Sequence, residues 1–311
     1  MSDLFDVNGN NLDLGFKNLK EAKFPIEQQL RAMLQEMWTR YEPYADLDFR
    51  QGFARDVDAR FWEMYLGCTL LDAGRTLLPV TARQREGGQP DLCIVEDHHR
   101  IWIEAITPDE GAPGPDQIVR PVPINEGGGA VDAPIRQAQL RTSGAFWTKA
   151  QKIGEYVQQG AMAPEDIRII AISASRFGTY VPEQPLPLIM TTLFPIGDAF
   201  ITINRDTSEI VQEGFYAAPV IHRERNPIPR TAFLDERFAD ISGVIWSRIS
   251  MGNLFRCVRP ITYVHNPMAQ VPLPTNWGLW DREFVTAPQS NGWVSNDILA
   301  KMMAAEMWMK R

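Results

Sequence analysis

The chain has 311 residues, 44% hydrophobic and 23% charged, enough to bury a substantial core as one large or two small domains. Its formal net charge of -8 excludes a protein that coats nucleic acid non-specifically, since that mode lives on phosphate neutralisation, but leaves room for an enzyme with a local basic groove. The three cysteines, Cys68, Cys93 and Cys257, stand far apart in apolar segments, which excludes a disulfide framework or a zinc cluster and fits a reduced, cytoplasmic setting. No secretory leader and no membrane-length apolar run is expected from the sequence, so no membrane partner is expected either.

Residues 24–41 repeat apolar side chains at helical spacing (Ile26, Leu30, Met33, Leu34, Met37, Trp38) and predict an N-terminal helical extension covering 1–57. A second helix is predicted over 58–72, with Asp58 as its N-cap and Gly74 as its stop. It carries Glu63 inside the apolar run Phe61-Trp62-Glu63-Met64-Tyr65. Three strands are predicted next, over 76–82, 91–95 and 100–107. The last two flank Glu96-Asp97-His98-His99, a polar connection of hairpin length, so they are expected to pair antiparallel with Asp91 and Glu104 near one end. Acids within such apolar surroundings are costly unless something cationic meets them, and three of them suggest a divalent-metal site.

Residues 108–134 are dense in Pro and Gly and predict a long functional loop, expected to be mobile and to border the site. No Gly-Lys-Ser/Thr follows Gly127-Gly128-Gly129, so this is not a phosphate loop. A helix is predicted over 135–159, ended by Gly160, with Lys149 on its apolar face; a buried strand follows over 167–174. Arg83-Gln84-Arg85 and the segment from His222 to Arg230 read as solvated loop surface. Beyond Tyr180, the runs 199–203, 241–246 and 261–265 predict strands that extend the sheet or build a second layer on it. The tail bearing Trp277, Trp280, Trp293 and Trp308 reads as packing surface or an oligomer contact, which allows a homodimer.

Helix, three strands, helix, strand, with acids on the first helix and on the second and third strands, resembles the PD-(D/E)XK nuclease superfamily, the fold of many restriction endonucleases. The resemblance spans residues 58–175. It implies an α/β (α+β) mixed central sheet flanked by helices, with the segment 176–311 as a β-rich extension packed on that core. It matches Glu63 to the acid of the first core helix, Pro90-Asp91 to the "PD" and Glu104-Ala105-Ile106 to the "(D/E)XK". Ile106 stands where the family has lysine, and Lys149 is the candidate to bring that amine from a neighbouring element, with Arg141 as the alternative and as a substrate-binding residue.

The implied cofactor is Mg²⁺ (or Mn²⁺), held by Asp91, Glu104, the Ala105 carbonyl and Glu63 directly or through water, and the implied partner is nucleic acid, DNA ahead of RNA. Three functions follow: a metal-dependent, restriction-like or defence nuclease; a catalytically inactive nuclease fold that binds nucleic acid or a protein partner; and an unrelated α/β protein in which the acids are structural. In the last, Glu63 is a buried partner of Arg60 or Arg55, Asp91 starts a strand, and Lys149 snorkels to water.

Overall fold

The protein is described from a computed structural model covering residues 2–83, 89–96, 99–119, 126, 128, 132–181, 183–223, 226–255, 261–289 and 292–299. Four helices come first: α1 (Leu14–Glu21), α2 (Pro25–Tyr41), α3 (Phe49–Arg55) and α4 (Val57–Asp72). They are followed by β1 (Thr76–Leu77), a short α5 (Val80–Arg83), β2 (Leu92–Glu96) and β3 (His99–Ile106). The long α6 (Ile135–Gln158) then crosses over to β4 (Ile167–Ser173), and α7 (Leu188–Leu193) comes next. The remaining strands are β5 (Ile196–Ile203), β6 (Ile210–Ala217), β7 (Val220–Ile221), β8 (Ile228–Pro229), β9 (Gly243–Ser247), β10 (Ile261–His265), β11 (Arg282–Gln289) and β12 (Gly292–Asp297).

Eight of these strands form one mixed sheet in the order β1-β2-β3-β4-β9-β10-β11-β12. β2 and β3 pair antiparallel, as their short polar connection requires, whereas β3, β4 and β9 run parallel, a geometry that needs a crossover such as α6. Strand alternation divides the core into two layers. Ile101 and Ile103 of β3 pack with α1–α4, through Phe53, Phe61 and Trp62. Trp102 of β3 and Ile170 and Ile172 of β4 pack beneath α6 and α7, through Phe146, Ile153 and Leu188. The Trp62 indole on α4 donates to the Ala171 carbonyl at 3.1 Å, fixing that helix on the sheet through an edge-buried polar group. Among the described residues no helix is long and apolar enough to cross a membrane.

Several expectations from sequence are corrected. The predicted strand over 76–82 is only two residues long, because Pro79 cannot continue the ladder and the chain turns into α5. Arg83 is buried rather than solvated, and residues 84–85 lie outside the described residues. Asp56, not Asp58, caps α4, accepting from the Ala59 N–H at 3.1 Å, while Asp58 sits in the first turn and meets Arg176 at 3.3 Å. Asp91 directly precedes β2 instead of lying in it. The run 199–203 belongs to β5, which among the described residues pairs only with β6 in a separate hairpin and does not extend the central sheet. β9 and β10 do extend it, so the segment after residue 175 continues the same sheet. Trp277 and Trp280 pack together in the first core layer, Trp280 stacked on Tyr263; Trp308 and Cys257 lie outside the described residues.

Candidate functional site

The β2–β3 register sets Leu92 against Ile103 and Cys93 against Trp102, so the next step inward brings Asp91 opposite Glu104. By alternation both side chains project toward the face that α6 covers. Glu104 is completely buried. Its Oε1 accepts from Lys149 Nζ at 2.7 Å and from Lys152 Nζ at 2.5 Å, both lysines coming from α6. The Lys149 ammonium also lies 4.0 Å from Asp91 Oδ2, so the two carboxylates face one point. Glu104 Oε2 is buried and has no hydrogen-bond partner, an orphan acceptor that a cation would satisfy.

A local break in the ladder positions Asp91. The buried guanidinium of Arg83 takes the carbonyls of Pro90 at 3.0 Å, Asp91 at 2.9 Å, Leu78 at 3.0 Å and Tyr44 at 3.0 Å. With the Pro90 carbonyl withdrawn, the Ala105 N–H is met instead by Asp91 Oδ2 at 2.7 Å. The N–H and C=O of a strand residue point to the same side, so the Ala105 carbonyl turns toward the same gap. Replacing Arg83 with methionine strands four buried carbonyls; we expect a loss of about 3 kcal/mol of stability, read from the urea midpoint, and a displaced Asp91.

Glu63 approaches from the other side of the sheet, on α4. Its Oε1 accepts from the Tyr41 hydroxyl at 2.8 Å and its Oε2 from Arg60 at 2.7 Å, which engages both oxygens. Arg60 is thus the partner one of the plainer readings of Glu63 named. Burial, and next the negative charge of Asp91, push the Glu63 carboxyl up to about 8, against the opposing pull of Arg60 and Tyr41. The sign follows directly: between its ordinary value of 4.5 and about 8 the folded chain holds a proton that the unfolded chain has lost. Stability therefore falls as pH rises through that window, and Glu63→Gln is expected to flatten the fall when urea midpoints are compared at about pH 5 and about pH 8.

Burial is also the largest influence on Glu104, with the Asp91 charge next, and together they raise its carboxyl in spite of the two lysines. Burial alone would lower the Lys152 ammonium, but the charge and hydrogen bond of Glu104 hold it above its ordinary value. Lys152 also lies over the Tyr156 ring, 5.4 Å from its centre. Sequence reasoning missed Lys152, Tyr41 and Arg83. Lys152 was within reach, since a residue three positions after Lys149 shares its helix face.

Arg141 does not approach Glu104. Its Nε donates to the Asp109 carbonyl at 3.0 Å and its guanidinium pairs with the Asp109 carboxylate, so Lys149 and Lys152 are the amines at the site. Arg141 and Gly144 instead line two adjoining cavities, one of about 290 Å³ beside Ile106 and Thr107, the other of about 670 Å³ between α6 and residues 111–116. The described part of the Pro- and Gly-rich loop thus lies along α6; most of residues 120–131, including Gly127 and Gly129, is outside the described residues. Ile106 packs against the second core layer, an apolar side chain at the position where the resembled family carries its amine.

Among the described residues no three His, Cys, Asp or Glu side chains form a metal cage. The donors offered here are hard oxygens: Asp91 and Glu104, both beside Lys149 Nζ and the latter with its orphan Oε2, and, by strand geometry, the Ala105 carbonyl. This set suits Mg²⁺, which is held by one or two carboxylates and keeps several waters. Comparison of the chain with protein-family models, with curated proteins and with solved structures finds no match.

Proposed function

We propose that this chain is a metal-dependent nuclease of restriction-endonuclease-like architecture, hydrolysing phosphodiester bonds in nucleic acid, DNA ahead of RNA. The observation that carries the reading is the buried Glu104 facing Asp91, with an orphan carboxylate oxygen and the Lys149 ammonium at the same point. Asp91, Glu104 and the Ala105 carbonyl would hold Mg²⁺ or Mn²⁺, which when bound stabilises charge on the phosphate and lowers the pKa of water.

Lys149 then supplies from α6 the amine that Ile106 does not. Its Nζ, held by Glu104 at 2.7 Å, is placed to donate a hydrogen bond that orients the attacking water. Arg83 fixes Asp91 through the backbone. Glu63, with both oxygens engaged, shapes the field around Asp91 and reaches a cation only through water. Arg141, lining the two cavities along α6, takes the substrate backbone.

One observation favours a second reading. Two ammonium groups on Glu104 neutralise it without any ion, as a catalytically inactive nuclease fold that binds nucleic acid or a protein partner would need. Incubation of the purified chain with duplex and single-stranded DNA and RNA separates the two. The nuclease reading expects cleavage that needs Mg²⁺ or Mn²⁺ and stops with chelator; no cleavage of any substrate supports the inactive reading.

A further inference from the structure

The two cavities along α6 share Arg141 and Gly144, and the smaller begins where the carboxylate and lysine site ends. It is lined by Ile106, the next residue after Glu104 on the same face of β3, and by Thr148, which directly precedes Lys149 on α6. Thr107 lines it too, and its buried hydroxyl has no hydrogen-bond partner. The larger cavity, about 670 Å³, lies within the range of roughly 300–1,000 Å³ usual for pockets that take a small organic group. Gly144 stands about 7.5 Å before Lys149 at a helical rise of about 1.5 Å per residue, so the step from the site into that cavity is short.

The walls of the larger cavity suit a flat, uncharged ring. Trp147, Leu140, Ile228 and Pro115 give it apolar sides, and Trp147 is 37% exposed. That indole is also held in place: the Phe238 ring packs on it nearly perpendicular at 4.9 Å, and the Arg237 guanidinium lies 5.6 Å from its centre. The charges of the walls are already answered. Asp116 takes Arg136 at 2.7 Å and Arg223 at 2.8 Å, Arg141 pairs with Asp109, and Arg237 pairs with Asp235. A free anion therefore meets only arginines that have partners, whereas an aromatic ring meets an indole to stack on. Gly144 opens the way in. Glycine inside a helix costs stability, yet a Cβ here meets nothing within 4 Å, so packing does not require it. Gly154 of the same helix is equally open but lines neither cavity.

We propose that these cavities take an unpaired nucleotide beside the phosphate that the carboxylate site engages, its sugar and phosphate passing over Gly144 and its base seated in the larger cavity against Trp147. The inference rests on the nucleic-acid reading given above, in its cleaving or its inactive form. A base inside a duplex is paired and stacked, and it enters a pocket of this kind only by leaving the stack. The substrate class is therefore single-stranded DNA, or a duplex with an unpaired base at the site. A phosphate oxygen passing Thr107 would give that hydroxyl its missing partner. Arg141, at the junction of the cavities, exchanges its exposed Asp109 for the strand's backbone at little cost, since an exposed ion pair is weak.

Fluorescence anisotropy of the full chain with short labelled DNA tests this, run in chelator and again in Ca²⁺. The wild type is expected to bind a single strand about tenfold or more tighter than the matched duplex, with a duplex carrying one mismatched pair in between. Trp147→Leu weakens single-strand binding by about 5- to 100-fold, the range for losing one stacked base, and leaves duplex binding little changed. Gly144→Leu fills the wall both cavities share. Single-strand binding then falls by about tenfold or more while the urea midpoint holds or rises, because leucine is the better helix former and its Cβ meets nothing. Equal binding of strand and duplex overturns the proposal and leaves nucleic-acid binding standing, as does a Trp147→Leu variant that binds the single strand like the wild type. No binding of any of the three in either buffer overturns the nucleic-acid reading itself, and this inference with it.

Discussion

Replacing Lys149 with methionine is expected to lower Mg²⁺-dependent cleavage by about 10²–10⁴, the range for losing positioned acid–base help. The Lys149 ammonium is mostly buried, hydrogen-bonded to Glu104 and 4.0 Å from Asp91. Methionine keeps the length and apolar stem of lysine, and Lys152 remains on Glu104 at 2.5 Å, so helix and packing persist. The binding of the cation should move the other way. Removing a positive charge from beside its ligands strengthens their hold on Mn²⁺, so affinity rises while turnover falls. A damaged fold lowers both. Equal rates in wild type and variant under single-turnover conditions would assign the water-positioning role elsewhere.

Replacing Glu104 with glutamine acts on stability as well as chemistry. The carboxylate is fully buried and two ammonium groups converge on it, so its neutral analogue leaves their charges uncompensated beside the sheet. Breaking a buried pair costs about 3–5 kcal/mol; the low end, about 3 kcal/mol, is expected here because Lys152 is 42% exposed and can turn to water. The variant should therefore show a lower urea midpoint near neutral pH and no metal-dependent cleavage. Combined with Lys152→Met, part of the lost stability should return, since one stranded charge is then gone. Full stability in Glu104→Gln alone would mean the pair is not held as described.

The legible part of this protein is its local part. The apolar spacing of α2, α4 and α6 and the continuous apolar run of β4 announce themselves, because each element's period is set by the layer it packs on. The antiparallel β2–β3 pair follows from the short polar connection, and the pair brings Asp91 and Glu104 together without any long-range knowledge. What escaped depends on contacts between distant residues. That Tyr41 takes the other oxygen of Glu63, beside its helix neighbour Arg60, follows from the packing of α2 on α4, and Arg83 becomes an anchor only because the chain brings Tyr44, Leu78 and Pro90 around it. The β5–β6 hairpin misled for a different reason: its apolar face has the alternation of a core strand, yet it is exposed. β11 and β12 gave no sign of themselves because their polar, mixed sequences match no simple period.

The most direct test of the proposed site is anomalous scattering from crystals soaked in Mn²⁺. A single peak is expected about 2.1 Å from oxygens of Asp91, Glu104 and the Ala105 carbonyl, with Glu104 Oε2 among them and at least one lysine ammonium moved off the carboxylate. No peak there at a Mn²⁺ concentration that supports binding in solution, with Lys149 and Lys152 still on Glu104, would contradict the account.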